Sequence, residues 1–208
     1  MANAANTTPG ALASGPPLVK ITRQVPEICG LFPLSEEARG LLVEGQSPGE
    51  FLDRACAAQC HIDAIRFLAH ALPVREVAWW ACLVARGVSA DGPPAHLKAL
   101  EAAEAWVYHP DEDHRRVAMS AAAEVENEAP AHWAALAAAW SGGSLAPPEA
   151  PVVPPGETMP AQAAAGAVLL AAVRTEPDRA AEHHRHAIAQ AIDIARGGTG
   201  RSPEPLAG

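Results

Sequence analysis

Two clusters hold residue types that could bind a metal ion. The first is Cys56-Ala57-Ala58-Gln59-Cys60-His61. On a continuous helix Cys56 and Cys60 lie one turn apart on one face, so both thiolates could reach one zinc ion. A closed zinc site needs four ligands, and no second spaced pair stands nearby. The competing expectation is two small buried hydrophobes, the usual state of free cysteine. The second cluster is His183-His184-Arg185-His186. Helical metal ligands come at i and i+4, and only Glu182 stands four from His186. On a helix His184 falls among Ala181, Ile188 and Ile192 on the core side, whereas His186 shares a side with Glu182, Gln190 and Asp193. The imidazoles therefore diverge. A metal-dependent regulator or enzyme using these His/Cys ligands is kept as the alternative function.

No catalytic residue, cofactor-binding residue or metal ligand is assigned. The sequence has no G-x-S-x-G, no glycine-rich phosphate loop and no H-E-x-x-H. Ser141-Gly142-Gly143-Ser144 follows a helical pattern instead of opening one, so it is expected to stop a helix. Glu124, Glu126 and Glu128 alternate before Pro130 and fit a solvated helix end better than an acid/base pair.

Trp79-Trp80 is the most informative pair. Adjacent helical residues diverge by about 100°. The expected core side of their helix is Val74, Val77, Ala81, Val84 and Ala85, with Trp80 flanking it. Trp79 then points toward Arg75 and Arg86. An exposed indole between guanidinium groups is a common pattern at protein interfaces, which makes Trp79, Arg75 and Arg86 the candidate interface. The alternative is a sandwiched helix that buries both indoles, and the usual burial of tryptophan weighs toward it.

The elements that must position these residues are helical. Alanine, the best helix former, dominates the chain, and three Phe and one Tyr are few for a sandwich or barrel. Ser35-Glu36-Glu37 starts a helix that Gly45 ends. Ser47-Pro48-Gly49-Glu50 is a capping box, and Ile62, Ile65, Ala69 and Leu72 continue at helical spacing. Asp111 caps a helix with the apolar stripe Val117, Ala118, Ala121, Ala122 and Val125. Trp133, Leu136, Ala137 and Trp140 follow at i, i+3, i+4, i+7. Ala163–Val173 is apolar all round and is expected to be the most buried helix. Pro73, Pro110 and Pro177 each break helix from helix, which suggests antiparallel pairs. A short strand is expected at Val19–Thr22. Residues 1–17 and 198–208 are expected to be disordered tails. Between them lies one helical domain over 18–197, interrupted by an extended proline-rich linker at 145–157.

Composition narrows the function classes. The formal net charge of −9 disfavours nucleic acid and anionic membranes. The apolar run Ala163–Val173 is far short of the ~20 residues that cross a bilayer. Met1–Gly15 lacks the basic region and apolar core of a secretory signal, so the cytoplasm is the expected location.

Several segments resemble one family. They are residues 64–82 (AIRFLAHALPVREVAWWAC), Ala102–Trp106, residues 133–148 (WAALAAAWSGGSLAPP) and Asp193–Gly197. Together they resemble an uncharacterised family of bacterial proteins, a domain of unknown function, over roughly residues 47–197. The resemblance implies an accessory or adaptor role beside type VI secretion and carries no catalytic residues. The combined expectation is a single all-α domain of seven to eight helices in antiparallel pairs. Its expected function is that of a non-enzymatic interaction module with a protein partner, able to form a homo-oligomer.

Overall fold

The computed structural model describes residues 11–90, 92–201, 203 and 206. Three short helices come first: α1 (Ala11–Ser14), α2 (Val25–Cys29) and α3 (Glu36–Arg39). Eight longer ones follow: α4 (Pro48–Ala57), α5 (His61–Ala71), α6 (Val74–Gly87), α7 (Pro94–Tyr108), α8 (Glu112–Ala123), α9 (Pro130–Ala139), α10 (Met159–Arg174) and α11 (Ala180–Ala195). A 3-10 turn at Pro177–Arg179 leads into α11. The fold is one all-α domain with eleven helices among the described residues against the seven to eight expected, because the helical spacing expected to continue from Ser47 to Leu72 is divided into α4 and α5 and short helices are added before it. The three short ones carry too few turns to leave a periodic signature.

The caps form as their residue types dictate. Glu50 accepts from the Ser47 amide at 2.6 Å while the Ser47 hydroxyl accepts from the Glu50 amide, closing the capping box of α4. The Asp111 carboxylate accepts from the His114 amide at 2.9 Å, with Glu112 and Asp113 in the first turn of α8.

At the centre lies α9, packed by α6, α7, α8 and α10. No residue of it is exposed, and Ala131, Ala134, Ala135, Ala137, Ala138 and Ala139 are fully buried. Such small side chains let helices approach closely on several sides at once. The expected centre, α10, is enclosed by α5, α6, α9 and α11 along its alanine face, but Leu169 and Leu170 are half-buried and Val173 is 45% exposed. The pairs α7/α8 and α10/α11 pack directly, whereas α5 and α6 meet mainly through α10.

Other expectations need correction. Among the described residues there is no strand. Val19–Lys20 is a turn, and the Lys20 amide donates to the Ala195 carbonyl at the end of α11. The helix begun at Ser35 stops at Gly40, whose amide already closes onto Glu36 and Ala38. Val117 of α8 is 56% exposed, leaving Ala118, Ala122 and Val125 as the buried part of that stripe. Residues 1–10 of the expected N-terminal tail lie outside the described residues. Residues 11–17 include α1, whose Leu12 is buried. The Leu12 and Ala13 amides donate to Asp53 of α4 at 3.1 and 2.9 Å. Gly49 permits this docking, because a Cβ there would sit 3.0 Å from the Leu12 carbonyl oxygen.

The proline-rich segment after α9 is anchored at its root. Buried Arg115 is forked to Glu112 and donates to the Ala139 and Ser144 carbonyls at 2.6 and 3.0 Å. The Ser144 hydroxyl accepts from the Ala146 and Val153 amides, so the loop closes on itself.

Candidate functional site

The two tryptophans of α6 part company at the indole nitrogen. Trp80 is fully buried, and its Nε1 donates to the Ala187 carbonyl of α11 at 2.9 Å. It therefore joins α6 to α11 through the core. Trp79 is half-buried, and its Nε1 donates to the Thr199 carbonyl at 2.8 Å. The Tyr108 ring meets it edge-on at 6.1 Å, and the Arg201 guanidinium stands 5.2 Å from its centroid.

The arginine partner is thus Arg201 and not the expected pair. Arg86 points away and is forked to Glu104 at 2.8 and 2.7 Å. Arg75 donates from Nε to the Val107 carbonyl at 2.6 Å. It does share with Trp79, Tyr108 and Arg201 a hollow of about 530 Å³. The core stripe of α6 also differs from expectation. Val77, Ala78, Trp80, Ala81, Cys82 and Ala85 are buried, while Val74 is 38% exposed. Arg201 was invisible to helical periodicity because it lies beyond α11, in a Gly/Pro/Ser segment with no period.

That segment is a strap along α6. After α11 the Gly198 amide donates to the Asp193 carbonyl, and the Gly200 amide to the Asp193 carboxylate at 2.7 Å. Gly200 is buried at a φ of +73°, where a Cβ would come within 3.0 Å of Leu83 and Ile194 side-chain carbons. A larger residue would push the strap off α6. Pro203 and Leu206 continue toward the C-terminal end of α6, and Leu206 packs against the core. Residues 202, 204, 205, 207 and 208 of the expected C-terminal tail lie outside the described residues.

Pro203 and Leu206 line a groove of about 750 Å³ between α6, α10 and α11. Its floor includes Val84, Val168, Ala171 and Ala187; His183, His186, Glu176, Glu182 and Arg185 stand at its rim. The histidine cluster is split by this arrangement. His183 donates from Nδ1 to the Ala172 carbonyl at 2.8 Å, and His186 is exposed on the same groove. His184 instead faces His61 of α5, ring centroids 6.3 Å apart. Burial holds both of those imidazoles below their usual range. Of the expected core side of α11, Ile188 and Ile192 are buried but Ala181 is exposed.

Cys56 and Cys60 do not share a helix. Between them α4 ends, Gln59 takes a φ of 58°, and Cys60 opens α5. Burial pushes the Cys29 and Cys56 thiols up to about 11 and raises Cys60 and Cys82 as well. They stay protonated at neutral pH and are poor nucleophiles. Among the described residues no three His, Cys, Asp or Glu side chains gather where a metal ion could be held.

A model of a family of unknown function, DUF6931, matches residues 51–195. No curated protein and no solved structure matches the chain. The chain belongs to the DUF6931 family. The match spans most of α4 through α11, so Trp79, Trp80 and the groove floor lie within it and the strap lies outside it.

Proposed function

We propose that the protein is a non-enzymatic interaction module, an adaptor that takes an extended, proline-containing segment of a protein partner into the groove beside α6. One observation carries this reading: the chain's own Pro203 and Leu206 already line that groove. An apolar floor that accepts one proline and one leucine suits a partner segment that carries the same residues. The strap then acts as an internal competitor, held by Trp79 and Arg201 at its start and by Leu206 near its end. The family resemblance makes components of bacterial type VI secretion the first partners to test. No helix among the described residues is long and apolar enough to cross a membrane, which accords with a module working in the cytoplasm.

The test uses a fluorescent peptide of residues 198–208 added in trans to the full chain. Leu206→Asp should release the strap and bind the peptide at least about tenfold more tightly than wild type, the factor lost when a competitor leaves the groove free about one-tenth of the time. Adding Val84→Asp on the groove floor should abolish that binding. Equal binding by wild type and Leu206→Asp, or none by either, contradicts the reading. A partner captured by Leu206→Asp and lost with Val84→Asp would then identify what the groove serves. Concentration-dependent self-association of Leu206→Asp would show a second copy to be the occupant instead.

A further inference from the structure

A third cavity, of about 280 Å³, lies apart from the groove and borders the Trp79 hollow at Lys20, where the end of α5 meets the starts of α6 and α10 and the segment Lys20–Arg23. His70 of α5 forms part of its wall and is only 7% exposed. Its Nδ1 lies 2.8 Å from the Arg66 carbonyl oxygen, which can only accept, so Nδ1 carries the proton. Nε2 is buried and has no hydrogen-bond partner. Phe32 stacks on the ring at 5.2 Å and fixes its plane. With Nδ1 committed to its own helix, the Nε2 lone pair is the one hydrogen-bonding position of the ring left unmet. Burial, together with the Arg23 and Arg66 guanidiniums, holds the imidazole below its usual range, so at neutral pH this edge accepts and does not donate.

The rest of the wall attracts negative charge. Lys20 and Arg23 line it, each paired with a carboxylate: Lys20 with Glu76 at 2.8 Å and Arg23 with Glu157 at 3.1 Å. An ammonium has three donors and a guanidinium five, so both keep capacity. Glu157 is the one carboxylate in the lining. Pro73 and Val74 open the 14-residue α6, and Thr158 and Pro160 open the 16-residue α10; neither helix start has a capping side chain. The positive ends of two helix dipoles therefore border the same space. Cations and helix starts call for an anion, while a buried acceptor calls for a donor.

We propose that this cavity binds a small oxyanion that carries its own hydroxyl, as hydrogen phosphate or a hydroxycarboxylate does. The charge lies toward Arg23, Lys20 and the helix starts, and the hydroxyl donates to His70 Nε2. A donor-free anion of the same shape would leave His70 unpaired and lose affinity.

Calorimetric titration of the full chain at neutral pH tests this with matched pairs of anions. Phosphate is compared with sulfate, and glycolate with acetate. The hydroxylated member of at least one pair should bind at least about tenfold more tightly, in keeping with sites built to meet a hydroxyl. The pair that shows the preference identifies the source as a phosphate or a carboxylate. His70→Phe keeps a ring against Phe32 and removes the acceptor; it should erase the preference while leaving sulfate or acetate binding unchanged. Arg23→Gln should weaken both members of the pair and keep their ratio, which provides a readout should His70→Phe not fold. No binding of any of the four, or equal binding within both pairs, overturns the proposal.

Discussion

The alanine seam around α9 and the outer face of α6 are closed in different ways. Around α9 the closure is steric: alanines on four neighbouring helices leave no space, and nothing there can move without opening the core. On the outer face of α6 the closure is an added layer: the strap covers Trp79 with one hydrogen bond and one guanidinium, and Leu206 ends in a groove too large for it to fill. The first region serves stability. The second holds surface that binding could use. A single dipeptide spans the two, with Trp80 belonging to the interior and Trp79 to the strap.

The largest expected effect is on the interior side. Trp80→Ala deletes a fully buried indole and its bond to Ala187 and should cost ~3–5 kcal/mol, measured by chemical denaturation. A loss below about 1 kcal/mol, the range of surface changes, would mean the interior near α6 is not tightly packed. Next comes Ala135→Leu in α9, which inserts volume where none is free and should cost ~1–3 kcal/mol. Leu169→Ala, on the half-buried side of α10, should cost less than the ~2–5 kcal/mol of a fully packed leucine. A larger loss there than at Ala135 would reverse the ranking of the two helices.

The smallest effect is electrostatic. His61, His70 and His184 titrate below the usual 6.5 because they are buried, so the unfolded chain binds protons more readily than the folded one. Their sign is therefore fixed: stability is full above about pH 6.5 and declines as the pH falls below it. A melting temperature that drops between pH 7.5 and 5.5, less steeply in His184→Asn, would confirm it. A flat or rising profile would contradict the burial of these rings.

The interior was legible in the sequence because its signals are local. Ser47/Glu50, Asp111 and the apolar spacing of α4 to α11 each act within one or two turns, so the helices could be placed from them. Which helix sits at the centre was less so: α9 and α10 are both alanine-rich, and only tertiary packing decides that α9 is the one without an exposed residue. The candidate site was half-legible. Trp79 and Arg75 line one hollow, but Arg86 pairs with Glu104 through a contact 18 residues away. Arg201 reaches Trp79 from a Gly/Pro segment that carries no period. Helical geometry within α6 cannot foresee a partner delivered by a different part of the chain.

Trp79 closes against the strap while Trp80 holds the interior, and hydrogen exchange of Trp79→Ala measures this directly. The amides of Gly198 and Gly200, bonded to Asp193, report on the strap, and those of α9 and α10 report on the core. In Trp79→Ala the strap amides should exchange at least about tenfold faster, with α9 and α10 unchanged, as expected for a local opening uncoupled from global unfolding. Unchanged strap exchange would show that Trp79 does not hold the strap, and acceleration of all these amides together would show Trp79 to be one more residue of the core.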